Sequence, residues 1–463
     1  MKHLKIKSIW ESLKRFLPII FITALAVFLR FYLLEKRISF DADQEEIAFK
    51  AKEVLSGNPV LLGPKTSLGG FSIGPGFTYL WAIFSFFLKG DPTSGAYLSV
   101  ILGVFFVVVA YFVLKEIFSK YIALAISIIL ALSVGLITWD QNPWAPSLFY
   151  LSELLVFYGV YISNKKKYGL ALVALGLAMG FQSHFAIFLL VLPIFIYLLI
   201  YKPVFEKKSI AVSLLIIIFS VLPVIIYDLT HGFINLQRLM SIFSLGTEGV
   251  APAKIKLFTT LVSNSINIIW VDFPGYIKYI IFSLFILISF WGIFKDKKQR
   301  PLLILSNLFL FLPFFIFLFY KSSFSEYYLM TAVVPFLFIL GYALSFIRSR
   351  LLVFILVGTI GILSIKSFTT ITRPMNLSAK KLIVQEIVKR GGQGGYGVSI
   401  STRPGFNFGY GYIFDYYNSK PDIPPLRGQR KIFTIISPPK YDGIESFIEV
   451  DGIGLRWEGD VGF

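Results

Sequence analysis

Predominantly apolar runs of about 20 residues recur along this chain from Phe16 to about residue 369, each long enough to cross bilayer hydrocarbon as a helix. A chain built this way is a polytopic integral membrane protein, in keeping with 56% hydrophobic and 17% aromatic residues. The first run, Phe16 to Leu34, follows a basic leader (Lys2, Lys5, Lys7, Lys14, Arg15) but is too long for a signal-peptide core, and no small-residue cleavage site follows it. It is expected to stay as a helix. The absence of cysteine excludes disulfides, thiolate metal sites and cysteine nucleophiles. A net charge of +18 would suggest nucleic acid in a soluble protein. Here the lysines and arginines sit in short clusters between apolar runs, so they read as orientation signals and headgroup contacts, with membrane lipids and not nucleic acid as partners.

Those clusters set the topology. They fall at the N-terminus, at Lys115 and Lys120, at Lys165 to Lys167, at Lys202 with Lys207 and Lys208, at Lys295 to Arg300, and at Arg348 with Arg350. If every apolar run crossed, including "FTYLWAIFSFFL" from Phe77 to Leu88, the clusters from Lys115 onward would oppose the N-terminal one and break the positive-inside rule. That run is only about 12 residues, the length of an interfacial or re-entrant segment. Without it, all six clusters face the cytoplasm. The expected spans are then 16–34, 95–114, 121–138, 147–163, 168–182, 184–201, 209–227, 276–294, 301–319, 327–346 and 351–369, about eleven helices in all. The outer face collects the first loop (35–94), "WDQNPWAP" from Trp139, "QSH" at Gln182 to His184, "YDLTHGFINLQR" from Tyr227, "YKSSFSEYY" from Tyr320, and the C-terminus.

Past Thr370 the hydropathy falls. "NLSAKKLIVQEIVKRGG" has helical spacing and a glycine stop; "YGVSIST", "KIFTIIS" and "FIEVDG" alternate as strands do; "GYGYIFDYYNS" reads as a second helix. "GGQGGYG" lacks the Lys-Ser/Thr ending of a phosphate loop and reads as a turn. The expected fold is an all-α polytopic membrane protein over 1–369, followed by a small extracytoplasmic α/β domain over 370–463.

The first outer loop crowds its acids into "DADQEEIAFKAKEVLSGN". Ile47, Ala51, Val54 and Leu55 recur at helical spacing, so a short amphipathic helix is expected in the interface with Asp43 at its N-terminus. Two readings of Asp43 stay open. It is an N-cap with Glu46 as its capping-box partner, or it is a carboxylate under the Gly/Pro-rich loop "LLGPKTSLGGFSIGPG", placed to act as a general base on a hydroxyl acceptor.

The acidic motif after the first span, the Pro/Gly loop leading to "GPGFTYLWAIF", the "NP" of Asn142 and Pro143, "QSH" from Gln182, "YDLTHGF" from Tyr227, and "EYYLM" with Tyr328 together resemble the GT-C superfamily of integral membrane glycosyltransferases. That superfamily includes protein O-mannosyltransferases and lipid A aminoarabinose transferases. Where the family often has Asp-Glu, this sequence has Asp43-Gln44, with Asp41 two residues earlier. The resemblance implies inverting transfer of a sugar from a polyprenyl-phosphate donor to a protein, lipid or glycan acceptor, outside the cytoplasmic face of the plasma membrane. It implies Asp43 as the base, with Asp41 and Glu46 as alternatives, and Asp140 as a second acid that orients the site or binds metal. Candidates for the donor phosphate are Arg30, His184, His231 and Lys321. Snorkelling of Arg30, hydrogen-bonded structural roles for the histidines and a solvated Lys321 are the competing readings. Asn142, Gln182 and Tyr328 are candidate acceptor or loop residues. Asp41, Asp43 and Asp140 are the carboxylates that would hold a divalent cation such as Mg or Mn by hard oxygen ligands. Asp228 is read as capping the chain locally or pairing with His231. A transporter or lipid flippase is the alternative, with Glu153 as the main interior acid.

The charge clusters predict that a topology reporter fused after Phe463 is active only outside the cytoplasm; activity confined to the cytoplasm would overturn the span count.

Overall fold

In hydrocarbon a backbone must pair its own N–H and C=O groups, so the apolar runs become helices. The computed structural model describes residues 2–67, 69–244, 254–319, 325–392, 395–403 and 407–459. After α1 (Lys2–Phe31), the first loop carries α2 (Ala42–Leu55) and α3 (Gly76–Phe87). The membrane part continues with α4 (Ser94–Ile117), α5 (Lys120–Leu132), α6 (Val134–Asp140), α7 (Phe149–Ile162), α8 (Gly169–Phe181), α9 (Val191–Tyr201) and α10 (Lys207–Thr230). Next come α11 (Ile234–Ser244), α12 (Lys254–Ile266), α13 (Gly275–Lys295), α14 (Arg300–Leu318), α15 (Val333–Leu344) and α16 (Arg350–Thr370).

Among the described residues seven helical segments are long and apolar enough to cross a membrane, and α5 with α6 makes an eighth if the bent pair is one span. The shorter apolar helices Phe16–Phe31, Gly169–Phe181 and Phe185–Tyr201 fall on the other three expected spans. Helix α3 has 12 residues, about 18 Å at helical rise against roughly 30 Å of hydrocarbon. One part of the sequence reading needs correcting: residues 228–275, read as an outer loop, contain α11 and α12. Helix α12 buries Leu257, Leu261, Val262 and Ile266, a helical stripe that its polar neighbours mask in a hydropathy average.

Arg30 neither snorkels nor opens onto a cavity. It is fully buried, and its Nε donates to Asp140 Oδ2 at 2.7 Å. Its other nitrogens reach the carbonyls of Ala131 (3.3 Å) and Leu130 (3.4 Å). Those carbonyls lie in the last turn of α5, where the chain breaks at Ser133 and turns by 58° into α6, leaving helix-end acceptors without intrahelical donors. Arg30 supplies them. Gly103 on α4 lets the pair fit, since a Cβ there would stand 2.2 Å from the Asp140 carboxyl carbon.

The remaining chain forms α17 (Leu377–Gly391), β1 (Gly397–Thr402), α18 (Tyr410–Tyr416), β2 (Ile432–Ser437), β3 (Ile448–Val450) and β4 (Ile453–Glu458). The sheet order is β1-β2-β4-β3, with β1 and β2 parallel and the other pairs antiparallel. Asn376 caps α17 through Ala379 N–H at 2.9 Å. This unit docks on the first loop: Lys381 meets Asp91 at 2.8 Å and Glu35 at 3.5 Å.

Breaking one side of a buried ion pair leaves the other charge uncompensated. Asp140→Asn is therefore expected to destabilise the purified protein by about 3–5 kcal/mol in chemical unfolding, whereas an apolar replacement of both partners, Arg30→Met with Asp140→Leu, recovers most of the loss. A single variant as stable as wild type would contradict this role.

Candidate active site

The start of α2 is capped by Asp41, not by Asp43. Asp41 is extended, its N–H donates to Gln44 Oε1 at 2.9 Å, and its carbonyl accepts the Glu45 N–H at 2.9 Å. Glu46 is correspondingly not a capping partner; its Oε1 accepts from Lys50 Nζ at 2.6 Å, one turn on. The Asp41 carboxylate accepts from Lys380 Nζ at 2.8 Å, and the same buried ammonium donates to Phe40 O (2.7 Å) and Phe408 O (2.9 Å). Three acceptors satisfy three donors. Glu45 takes the backbone N–H groups of Gly409 (3.0 Å) and Tyr412 (2.9 Å) at the start of α18. Asp41, Gln44 and Glu45 thus fasten the helix to the rest of the protein.

At 100° per residue, Asp43, Glu46 and Ile47 fall on the other face, and there they line a cavity of about 300 Å³. Opposite them stand Trp144 to Pro146, Ser183, His184 and Tyr327, and residues 64–67 with Ile73 form its edge. The edge is a narrow ribbon: Thr66 N–H donates to Phe71 O at 2.7 Å, Gly63 N–H to Ile73 O at 2.9 Å, and Lys65 bridges antiparallel to Ser72. It is clamped from three sides. Asn235 accepts from Ser72 N–H (2.6 Å) and donates to Ser72 O (3.2 Å); the Tyr328 and Ser67 hydroxyls meet at 2.5 Å; Lys50 Nζ reaches Gly63 O at 3.2 Å.

The other sequence candidates distribute as follows. His184 lies in the cavity wall, and its Nδ1 accepts the Ala186 N–H at 3.1 Å, which assigns the ring proton to Nε2. Asn142 Oδ1 accepts from Ser39 Oγ (3.2 Å) and Gln44 Nε2 (3.4 Å), joining α2 to the segment before it. Gln182 accepts the Gly76 N–H at 2.8 Å and donates to Ser220 Oγ at 2.8 Å, so it pins the entry to α3. A Cβ at Gly74 would lie 2.1 Å from its Oε1. His231 is exposed and stacks on Tyr227 with ring centroids 4.0 Å apart, away from the cavity lining. Asp228 caps α11 through Asn235 N–H (2.8 Å) instead of pairing with His231. Lys321 lies outside the described residues. Asp41 and Asp140 are each engaged by a cation, so neither joins Asp43 in a three-carboxylate set. Among the described residues no three His, Asp or Glu side chains converge as metal ligands.

Sequence reasoning did not single out Lys65, Trp144 or Tyr327. The signals were faint: Lys65 is the one cation in "LLGPKTSLGGFSIGPG", Trp144 follows Asn142-Pro143, and Tyr327 adjoins Tyr328. Tyr327 also lines a further cavity of about 260 Å³ running beside the α5–α6 break, with Ser133, Trp139, Tyr150 and Asn267.

Asp43 is electrostatically distinct. Burial, then Glu46, then Asp41 push its pKa above the usual carboxylate value.

Residues 72–227 match the family model described as dolichyl-phosphate-mannose-protein mannosyltransferase. Two crystal structures of ArnT from Cupriavidus metallidurans are similar to the whole chain. The one bound to undecaprenyl phosphate aligns with a TM-score of 0.65 and the apo form with 0.60, each at 10% identity over 95% of this chain and 97% of that one. The chain therefore shares the fold of these ArnT structures. No curated protein matches its sequence. The segment matched by the family model begins in the ribbon at Ser72 and ends at Tyr227, so it takes in Trp144 and His184 but stops short of the acids of α2 on its N-terminal side.

The two aspartates of α2 should respond oppositely to loss of charge. Asp41→Asn strips the buried Lys380 of its counter-ion and is expected to lower the thermal midpoint, by about 1–3 kcal/mol in stability. Asp43→Asn removes a crowded charge at small cost to the helix dipole and should stay within about 1 kcal/mol of wild type. Equal losses would remove the distinction.

Proposed function

We propose that this protein is an inverting glycosyltransferase that moves a sugar from a polyprenyl-phosphate donor to an acceptor hydroxyl on the extracytoplasmic side of the membrane. The observation that carries the reading is the placement of Asp43: free of capping, it faces a cavity shared with His184, Lys65, Trp144 and Tyr327. In this scheme Asp43 takes the acceptor proton as the hydroxyl oxygen forms its bond to the anomeric carbon, and the bond from that carbon to the phosphate oxygen breaks. The electron pair leaves with the polyprenyl phosphate, and an oxocarbenium-like state lies between.

Lys65 lines the same cavity as the carboxylates, and it would stabilise charge developing on the leaving phosphate. His184 offers its Nε2–H to the same phosphate or to a sugar hydroxyl. The further cavity beside the α5–α6 break extends from Tyr327 into the membrane part and would receive an apolar portion of a substrate. A divalent cation at the main cavity would draw on Asp43 and Glu46 as its protein carboxylates, and no step of the scheme requires it. The transporter reading gains little support: Glu153 is buried without a side-chain hydrogen-bond partner and stands apart from the acids of the first loop.

Asp43→Asn is expected to lower turnover of a polyprenyl-phosphate sugar by about 10² to 10⁴ while donor binding persists. Release of polyprenyl phosphate is the assay, and near wild-type turnover would remove Asp43 from the chemistry. The base works only when ionised, so its raised pKa places the acid limb of kcat/KM above the usual carboxylate range. Glu46→Gln removes the nearer like charge and should move that limb to lower pH. An unmoved or upward-moving limb would assign the titration to another group.

A further inference from the structure

Where α16 gives way to α17, a separate cavity of about 440 Å³ opens between the membrane part and the C-terminal sheet. Its walls come from the Thr372–Met375 link, Ser39, and Arg403 and Ser437 of the sheet unit. Two guanidinium-bearing residues, Arg373 and Arg403, line it, and Arg37 stands close enough to Arg373 for its charge to be felt there.

The three arginines are poorly compensated. Arg37 is buried, with Nη2 donating to Phe368 O at 3.0 Å and its guanidinium 3.9 Å from the Phe368 ring centre. Arg373 Nη2 reaches Thr138 O at 3.4 Å. Among the described residues, none of the three forms an ion pair with a carboxylate. The nearby acids face elsewhere: Asp41 is held by Lys380, and Asp451 Oδ2 accepts from Asn376 Nδ2 at 3.3 Å. Burial, and then the charge of Arg37, push the Arg373 pKa below the usual arginine value. Each guanidinium carries five donors, and a buried charge is ordinarily paired. Arg37 is buried, Arg373 partly buried and Arg403 exposed, and although the charge of Asp41 is felt at Arg373, none of the three has a paired carboxylate among the described residues. Together they form a receptor for an anion, and the arginine fork matches phosphate oxygens two at a time.

Depth and lining specify the ligand further. Helix α16 ends at Thr370, two residues before the cavity wall, so the site lies at headgroup level. Ile38, Pro374, Met375 and Pro438 give it apolar surface beside the arginines. We propose that this cavity binds the phosphate of an amphiphile seated at the bilayer surface, with Arg373 and Arg403 as its direct ligands and Arg37 reinforcing the field. The site is distinct from the Asp43 cavity and does not depend on the glycosyltransferase reading.

The test uses the full-length protein in phosphatidylcholine nanodiscs, titrated with dihexanoyl phosphatidic acid, with inorganic phosphate, and with phosphate-free dihexanoylglycerol. Phosphatidic acid should bind, dihexanoylglycerol should not, and Arg373→Gln with Arg403→Gln should weaken binding about 10- to 100-fold. The corresponding lysine variants should fall between, and Asp43→Asn should bind as wild type. Arg403→Gln alone, at an exposed position, gives the readout if the double variant fails to fold. Inorganic phosphate binding as tightly as phosphatidic acid would keep the phosphate site and overturn its assignment to an amphiphile. No binding to wild type, or undiminished binding to the variants, overturns the site itself.

Discussion

A buried arginine in a membrane protein is tolerable only if its charge is met and its donors find acceptors, and Arg30 finds them in the defect it repairs. The break between α5 and α6 leaves carbonyls bare in the protein interior, and Arg30 takes two of them while its charge is met by Asp140 at the end of α6. The bend in turn carries the chain from Asp140 to Asn142 and Trp144, which reach α2 and the main cavity respectively. Remove the pair, and the segment that walls the site loses the anchor that sets its depth. Gln141 adds a second tie from the same turn, donating to Arg30 O at 3.1 Å.

Helix α2 divides its acids by face. The residues that look toward the C-terminal unit are engaged in ion pairs and backbone bonds, which fixes the helix as a rigid element. On the face toward the ribbon Glu46 pairs with Lys50 while Asp43 lines the cavity, where burial and then the charges of Glu46 and Asp41 raise its affinity for a proton. A general base needs both conditions, a fixed position and a pKa drawn toward working pH. One short helix supplies them because its two faces belong to different neighbours.

Much of this was legible from residues alone. Hydropathy located the apolar helices, seven helical segments long enough to cross and α5 with α6 an eighth, and the short run from Phe77 forms the 12-residue helix α3. Alternation found β1, β2 and β3, and the Asn376 cap and glycine stop bounded α17. The importance of the acidic stretch was visible in its crowding, but which acid caps was not: Asp41 and Asp43 are equally good caps by type, and the contact that holds the Asp41 carboxylate comes from Lys380, 339 positions away. For the same reason Arg30 read as a candidate phosphate ligand and Asp140 as a second acid that orients the site or binds metal, since nothing local reveals that they pair across 110 residues. Helix α12 was missed because amphipathic burial does not raise average hydropathy. Lys65 and Tyr327 were missed because their neighbours in space come from other loops.

The Lys380 contact also bears on the order in which the molecule is made. A nascent chain that has inserted every membrane helix through α16 still lacks the residue that holds Phe40 and Asp41 in place, because that residue arrives only with α17. Domains emerging from the ribosome fold as they appear, N-terminal parts first, yet here the entrance to α2 waits for a residue 339 positions further on. Incomplete copies therefore sit in the bilayer with an unfastened α2. A chain arrested in the membrane before α17 would keep its apolar helices and lack the contact that positions Asp43 beside the ribbon.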